Sequence, residues 1–276
     1  MHFSSSESKT THPFQVGHSN IWGPLHTLSI YGYQYYIHFV DDFTQYTWIY
    51  PIKAKFEAHT IFVRFNTFIE RQFNQQIKCF QIDWGCEYKS LLPILFCLGI
   101  QFTHPCLHTH QQNSKAERKH MHVVEMSLSL LANGSLPFKF CWDAFVSSTF
   151  TINRLPTPLL GHISQFQKLF GHVLDYSFLK VFGCAYFPYL CPYNNHKFQY
   201  KSTKCLFFGY SPYHKGYRCF SPSGRLYIVH MVNFNEQEFP YSELFSPQSS
   251  SFTCPVQQLV LHVFPLDDPS LDSTHV

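Results

Sequence analysis

The chain has 276 residues, of which 45% are hydrophobic and only 13% charged, with a formal net charge of +3. That supports one sizeable core plus a smaller module, and the mild basic balance permits a nucleic-acid partner without demanding one. The first twelve residues are polar, and the longest greasy run, Leu91 to Ile100, is short and holds Pro93, so a signal peptide and a membrane span are excluded and a soluble intracellular chain with no membrane partner is expected.

In chain order, a polar tail over 1–12 precedes an apolar segment from Phe14 to Trp22 and a turn at Gly23-Pro24. Gln34 to Val40 and Thr47 to Ile52 are rich in aromatic and β-branched residues, with Asp41-Asp42 between them, which predicts two paired strands. From Ala58 the period changes: Ile61, Phe62, Phe65, Phe68 and Ile69 make one stripe of an amphipathic helix ending near Gln72. Ile77 to Ile82 predicts a short strand ending at Asp83, Lys89 to Leu98 a helix, and Ile100 to Thr103 another strand. A polar loop, Pro105 to Asn113, leads to a helix from Lys115 to about Leu131. Its expected apolar face is Ala116, Val123, Val124, Leu128 and Leu131. A further helix covers Phe138 to Asn153. Strands and helices alternating after an antiparallel start predict an α/β architecture over 13–160. After a linker at 161–180 the texture becomes short aromatic runs between turns (Cys205 to Tyr210, Tyr217 to Phe220, Leu226 to Phe234), which predicts a small β-barrel over 181–240. The Ser- and Pro-rich stretch 241–276 reads as a disordered tail.

Ten cysteines are scattered with no C-x-x-C pair, so no zinc site is expected, and free thiols in a reducing interior are the default. His104, His108 and His110 fall in a Pro-containing polar loop and read as surface histidines rather than ligands. The informative acids are Asp83, at the end of a predicted strand, and Glu117, on the first turn of a predicted helix 34 positions later. Carboxylates gathered at one sheet edge can hold two divalent ions that clamp the attacking and leaving oxygens of a phosphoryl transfer, a task for which oxygen ligands suit Mg²⁺. Taken singly, Ser114-x-x-Glu117 is also a capping box and Asp83 before Gly85 an ordinary turn aspartate, and spacing alone favours these readings.

The wording around these residues is more specific. In order the chain reads His18-Ser-Asn-Ile-Trp-Gly-Pro24, Phe39-Val-Asp-Asp-Phe-Thr44, Ile82-Asp-Trp-Gly-Cys-Glu-Tyr88 and Thr109-His-Gln-Gln-Asn-Ser-Lys-Ala-Glu-Arg-Lys-His120. Ile152-Asn-Arg-Leu-Pro-Thr157, Leu179-Lys-Val-Phe-Gly-Cys184, Phe208-Gly-Tyr-Ser211 and His214-Lys-Gly-Tyr-Arg-Cys219 follow. From about Phe14 to Pro240 this closely resembles the integrase segment of copia-type retrotransposon Pol polyproteins. The resemblance implies a ribonuclease H-like mixed sheet with flanking helices, followed by a small SH3-like β-barrel. It also implies a D, D, E triad binding Mg²⁺ (or Mn²⁺), DNA partners in the element ends and target DNA, self-association, and a nuclear location.

On that resemblance the second Asp falls on Asp83 and the Glu on Glu117, as catalytic and metal-binding residues, while the first Asp falls on Asn20. An amide has no negative charge, and losing one charge about 4 Å from a cation costs on the order of 4 kcal/mol, or about a thousandfold in rate if felt in the transition state. Trp84, Cys86, His110 and Ser114 also depart from the family's wording, so an inactivated copy is expected. The alternative is a non-catalytic nucleic-acid-binding or protein-interaction relic of the same fold. Asp41 or Asp42 replacing the missing carboxylate is the lesser possibility beside a structural role in the turn. Lys115, Arg118 and Lys119, with His120 beside them, are the candidate phosphate contacts, against a solvated helix face. Lys201, Lys204, Lys215, Arg218 and Arg225 with Tyr210, Tyr213 and Tyr217 are a candidate second nucleic-acid surface, against the commoner reading of barrel aromatics as core.

Overall fold

The three early runs of aromatic and β-branched residues become strands β1 (Val16–Trp22), β2 (Tyr35–Asp41) and β3 (Thr47–Ile52), paired antiparallel as a meander. The structure is a computed structural model, and it describes residues 10–82, 85–103, 114–190, 198, 200–211, 214, 216–230 and 232–245. The chain divides into two units. One is drawn from Met1–Gly23, Tyr35–His120 and Asn153–His172, the other from Pro24–Gln34, Met121–Ile152 and Val173–Val276.

In the first unit the polypeptide leaves β3 into helix α1 (Ala58–Phe73) and returns as β4 (Cys79–Gln81), which pairs parallel with β1. The helix expected over Lys89 to Leu98 is the shorter α3 (Leu92–Cys97), preceded by one turn not foreseen, α2 (Cys86–Lys89). Pro93 explains the later start: lacking an N–H, it is tolerated in the first turn of a helix and not in its interior. Strand β5 (Gln101–Thr103) then pairs parallel with β4 and completes a mixed sheet of order β3-β2-β1-β4-β5. This is the expected ribonuclease H-like mixed sheet with its antiparallel and parallel halves.

Side chains alternate across the sheet. One face presents Phe39 and Phe80 to α1, where Phe39 stacks on Phe65 at 4.2 Å and Phe62 meets Phe80 at 4.9 Å. Each such ring contributes about 1.5–3 kcal/mol by leaving water. The other face carries His18, Asn20 and Trp22 of β1 beside their β2 partners Val40, His38 and Tyr36. The first turns of helix α4 (Ser114–Asn133) pack there through Ala116 and His120. The buried stripe of α4 is Ala116, His120, Val123, Ser127 and Leu131, spaced by three and four, whereas Leu128, expected on it, is exposed. The backbone angle of 100° per residue, not hydropathy, decides which residues face inward.

Helix α5 (Cys141–Arg154) closes the β3 edge: Asn153 accepts from Thr47 N at 2.9 Å and donates to Thr47 O at 2.7 Å. Beyond it β6 (Pro156–Thr157) pairs with β7 (Ile163–Ser164), and α6 (Gln165–Phe170) lies in the stretch read as a linker. Ser164 caps α6 by accepting from Gln167 N at 3.0 Å.

The second unit holds a five-stranded antiparallel sheet of order β11-β10-β9-β8-β12, built from β8 (Ala185–Pro188), β9 (Cys205–Tyr210), β10 (Tyr217–Phe220), β11 (Leu226–Val229) and β12 (Val232–Asn235). The single run Leu226 to Phe234 is thus two strands. Its core gathers Phe150 of α5 with Cys184, Tyr186, Cys205, Phe207, Tyr210 and Cys219, and Phe150 stacks on Tyr210 at 4.0 Å. At Gly209, φ is +94° and a Cβ would lie 2.4 Å from Ser147 Oγ, so glycine is required twice over. Residue 241, where a tail without structure was expected, begins a helical turn, α7 (Tyr241–Leu244), and Tyr241 packs edge-on against Phe140 at 5.8 Å.

A fully buried ion pair lies inside this unit. Arg218 Nη2 donates to Asp143 Oδ1 at 2.7 Å and to the Tyr31 hydroxyl at 2.9 Å, and Tyr31 in turn donates to Asp143 Oδ1 at 3.0 Å. Arg218 is therefore no surface cation. Lys204 is held by Glu238 at 2.7 Å and Glu243 at 3.2 Å, and the Tyr210 and Tyr217 rings belong to the aromatic core. The proposed second nucleic-acid surface is corrected accordingly: only Lys201 and Arg225 of that set are exposed, while Lys215 and Tyr213 lie outside the described residues.

Candidate active site

Asn20 sits mid-strand on β1, half-buried, directly opposite His38 of β2. Paired side chains on one sheet face stand about 5 Å apart. His38 Nε2 meets the carbonyl oxygen of Ala116 at 3.2 Å, one residue before Glu117. The register therefore brings the Asn20 face to the entry of α4. Glu117 itself is exposed on the first turn of that helix. Asp83 lies outside the described residues; the strand leading to it, β4, ends two residues earlier, where Gln81 pairs with His18. The loop histidines His104, His108 and His110 also lie outside them.

The face around Asn20 is lined by neutral rings. His120 packs between Trp22 at 5.1 Å and Tyr36 at 5.7 Å, its Nδ1 meets the Tyr36 hydroxyl at 2.5 Å, and it stacks over His38 at 6.2 Å. Burial, helped by repulsion from His120, pushes His38 down to about 3, and burial pushes His120 down to about 4. Both imidazoles are neutral at physiological pH.

Asp41 and Asp42 part company. Asp41 shares the α1 face with Phe39 and accepts from Phe14 N at 2.7 Å, Thr44 N at 2.8 Å and Thr44 Oγ1 at 2.7 Å. It shapes the hairpin turn and lies on the side of the sheet away from Asn20. Asp42 Oδ1 receives His18 Nε2 at 2.7 Å and Lys115 Nζ at 2.5 Å, and its Oδ2 receives Thr10 Oγ1 at 2.9 Å. Burial opposes the charge of Asp42, but the bonds from His18 and Lys115 outweigh it and hold the carboxyl well below its usual range.

The three candidate phosphate contacts separate likewise. Lys115 is bound to Asp42, and Lys119 is half-buried, its loss of water lowering it to about 8. With its amide oriented to satisfy its neighbours, Gln165 accepts from Lys119 Nζ at 2.7 Å. Arg118 is exposed. His18 and His38 were not singled out from the sequence as site residues, whereas Asp42 was weighed only as a substitute carboxylate and His120 only as a phosphate contact. A histidine inside an otherwise apolar strand, as at His38, was the available signal.

Among the described residues alone, which leave out Asp83, the donor set on this face does not make up a site for a hard divalent ion. Among the described residues no group of three His, Cys, Asp or Glu is placed to hold a metal. The side chain at position 20 offers a neutral amide oxygen, and Asp42 is already committed to His18 and Lys115.

Several comparisons bear on this arrangement. Residues 184–248 match the family model of the retroviral polymerase SH3-like domain. The chain is 42% identical to the retrovirus-related Pol polyprotein from transposon RE2 of Arabidopsis thaliana, a match covering 99% of the chain and 20% of that protein. The corresponding polyprotein from transposon RE1 of the same plant is also 42% identical, over 93% of the chain and 17% of that protein. That from transposon TNT 1-94 of Nicotiana tabacum is 31% identical, over 80% of the chain and 17% of its own length. The chain thus spans about one fifth of the RE2 relative. A solved simian T-cell lymphotropic virus intasome, in complex with PP2A regulatory subunit B56 gamma, overlaps 80% of the chain at 13% identity with a TM-score of 0.46. No helix among the described residues is long and apolar enough to cross a membrane.

Proposed function

Because this chain belongs, as a segment, with the copia-type retrotransposon Pol polyproteins, we propose that it is an integrase core by descent whose metal-dependent strand transfer is disabled at Asn20. The proposed triad is Asn20, Asp83 and Glu117, with Asn20 in place of the first carboxylate and Asp83 and Glu117 as the remaining ligands for Mg²⁺ or Mn²⁺. One observation carries the reading. The β1–β2 register sets position 20 against His38, and His38 meets the backbone beside Glu117, so a neutral amide stands on the face toward which the Glu117 helix is held. In an intact site the ions would neutralise charge developing on the transferred phosphoryl oxygens. Here a missing charge costs on the order of 4 kcal/mol, enough to reduce the rate about a thousandfold.

The proposed partners are DNA, both element ends and target, and further copies of the chain, in the nucleus. Of the three lysines and arginines on α4 offered as phosphate contacts, Arg118 keeps that role best, since Lys115 is paired with Asp42 and Lys119, half-buried, is held by Gln165. The test is strand transfer by the purified chain and by Asn20→Asp, in Mg²⁺ and in Mn²⁺. Activity in Asn20→Asp alone supports the reading, and activity in the parent chain refutes inactivation. Salt-dependent DNA binding without transfer in either protein favours the alternative, a binding relic of the same fold.

A further inference from the structure

Two residues before Asn20 on β1 is His18, and two residues before Glu117 on α4 is Lys115. Both donate to the same atom, Asp42 Oδ1, at 2.7 and 2.5 Å. We infer that Asp42 is a positioning residue that ties the strand carrying Asn20 to the helix carrying Glu117, and so sets the spacing of the site.

Three features make this more than a surface ion pair. Asp42 is nearly inaccessible, with a side chain 8% exposed, and His18 is 4% exposed, so one arm of the tie is shielded from water and salt. The backbone of Asp42 is itself anchored to the strand, its N–H donating to Val16 O at 2.9 Å. Its neighbour Asp41 locks the adjoining turn through Thr44, so the carboxylate of Asp42 has little freedom to follow Lys115 if the helix moves. A second strap runs in parallel: His38 Nε2 reaches Ala116 O on the residue between Lys115 and Glu117. The start of α4 is thus held at two consecutive residues, one by His38 within β2 and one by Asp42 just after it. Fixing a ligand's backbone from both sides is what a metal site with few protein ligands needs, because a displacement of about 1 Å already weakens such sites.

The consequence for a metal site rests on the triad reading; the tie itself does not. The experiment uses the full chain with Asp42→Asn, Lys115→Met, Lys115→Arg and the double variant. Backbone amide exchange over 118–121 is read first, since local opening of the α4 entry reports the tie whatever the chain catalyses. Exchange is expected to rise about fivefold in Asp42→Asn and in Lys115→Met, with the double variant no faster than either, and to be restored in Lys115→Arg. Mn²⁺ affinity is then read in the Asn20→Asp background, where each uncoupling variant is expected to weaken binding by a similar factor. Unchanged exchange in both single variants overturns the positioning role, as does a double variant whose effect is the sum of two independent ones. Faster exchange in chains that bind no Mn²⁺ even with Asn20→Asp supports the tie and removes the metal-site reading instead.

Discussion

Lowering the pH should unfold the first unit through two histidines. His38 is held near 3 and His120 near 4 when folded, against an ordinary 6.5. Both folded values are depressed, so the unfolded chain binds protons first as the solution is acidified. Stability is then fully present above about pH 6.5 and is lost as pH falls toward the folded values. Between pH 7 and about pH 4.5 each histidine forfeits about two pKa units, roughly 2.7 kcal/mol, and the pair about 5 kcal/mol as an upper figure. A whole domain commonly has only 5–15 kcal/mol, so this loss is large. Structurally the cost is concrete: a protonated His38 would carry charge into a site where its Nδ1 has no partner among the described residues and His120 stacks 6.2 Å away. Urea unfolding followed by tryptophan fluorescence at several pH values measures it, with His38→Gln and His120→Gln alongside. Each variant should flatten the pH slope by close to one proton, even if it lowers stability at pH 7. An unaltered slope in both variants would refute the assignment of these histidines as neutral and buried.

Breaking the Arg218–Asp143 pair from one side, by Arg218→Met, should cost about 3–5 kcal/mol in chemical unfolding, because a buried carboxylate is left behind. Replacing both together with Tyr31→Phe should recover most of that loss, and an equal loss in the combined variant would contradict it. Asn153→Ala removes two bonds to the Thr47 backbone and should destabilise by about 2–3 kcal/mol, with faster amide exchange along β3. Gly209→Ala should cost about 1–3 kcal/mol, and Ser147→Gly should restore only part of it, since the contact is relieved but the positive φ remains.

The fold was legible where local pattern and tertiary demand agree. Thr47–Ile52, Cys205–Tyr210 and Tyr217–Phe220 are strands with the bounds their composition suggests, and α1 ends one residue past its expected stop. It was less legible where burial is decided by a neighbour far along the chain. Leu128 looked inward by hydropathy and is exposed, while His120 and Ser127 are buried because Tyr36 and Ser148 offer them partners. Of the site, motif wording supplied Asn20 and Glu117. The bonds joining their elements span 24 and 73 residues, and no local spacing encodes them. Arg218 shows the opposite error: a basic residue in a barrel strand reads as surface charge until its buried acid, 75 residues away, is known.

The contact between Gly209 and Ser147 has a consequence for how this chain can change over time. Position 209 admits no side chain without moving Ser147, and position 147 has little room to enlarge while β9 runs so close to α5. A larger residue at position 209 is therefore strained whatever stands at 147, and a smaller residue at 147 relieves only the contact. On the proposed reading, position 20 has exchanged a carboxylate for an amide with no loss of the β1–β2 pairing around it. Enlarging either partner in this contact would draw on the stability of the second unit, by about 1–3 kcal/mol for a single methyl at position 209, so these two positions bear on whether a copy folds rather than on whether it transfers strands.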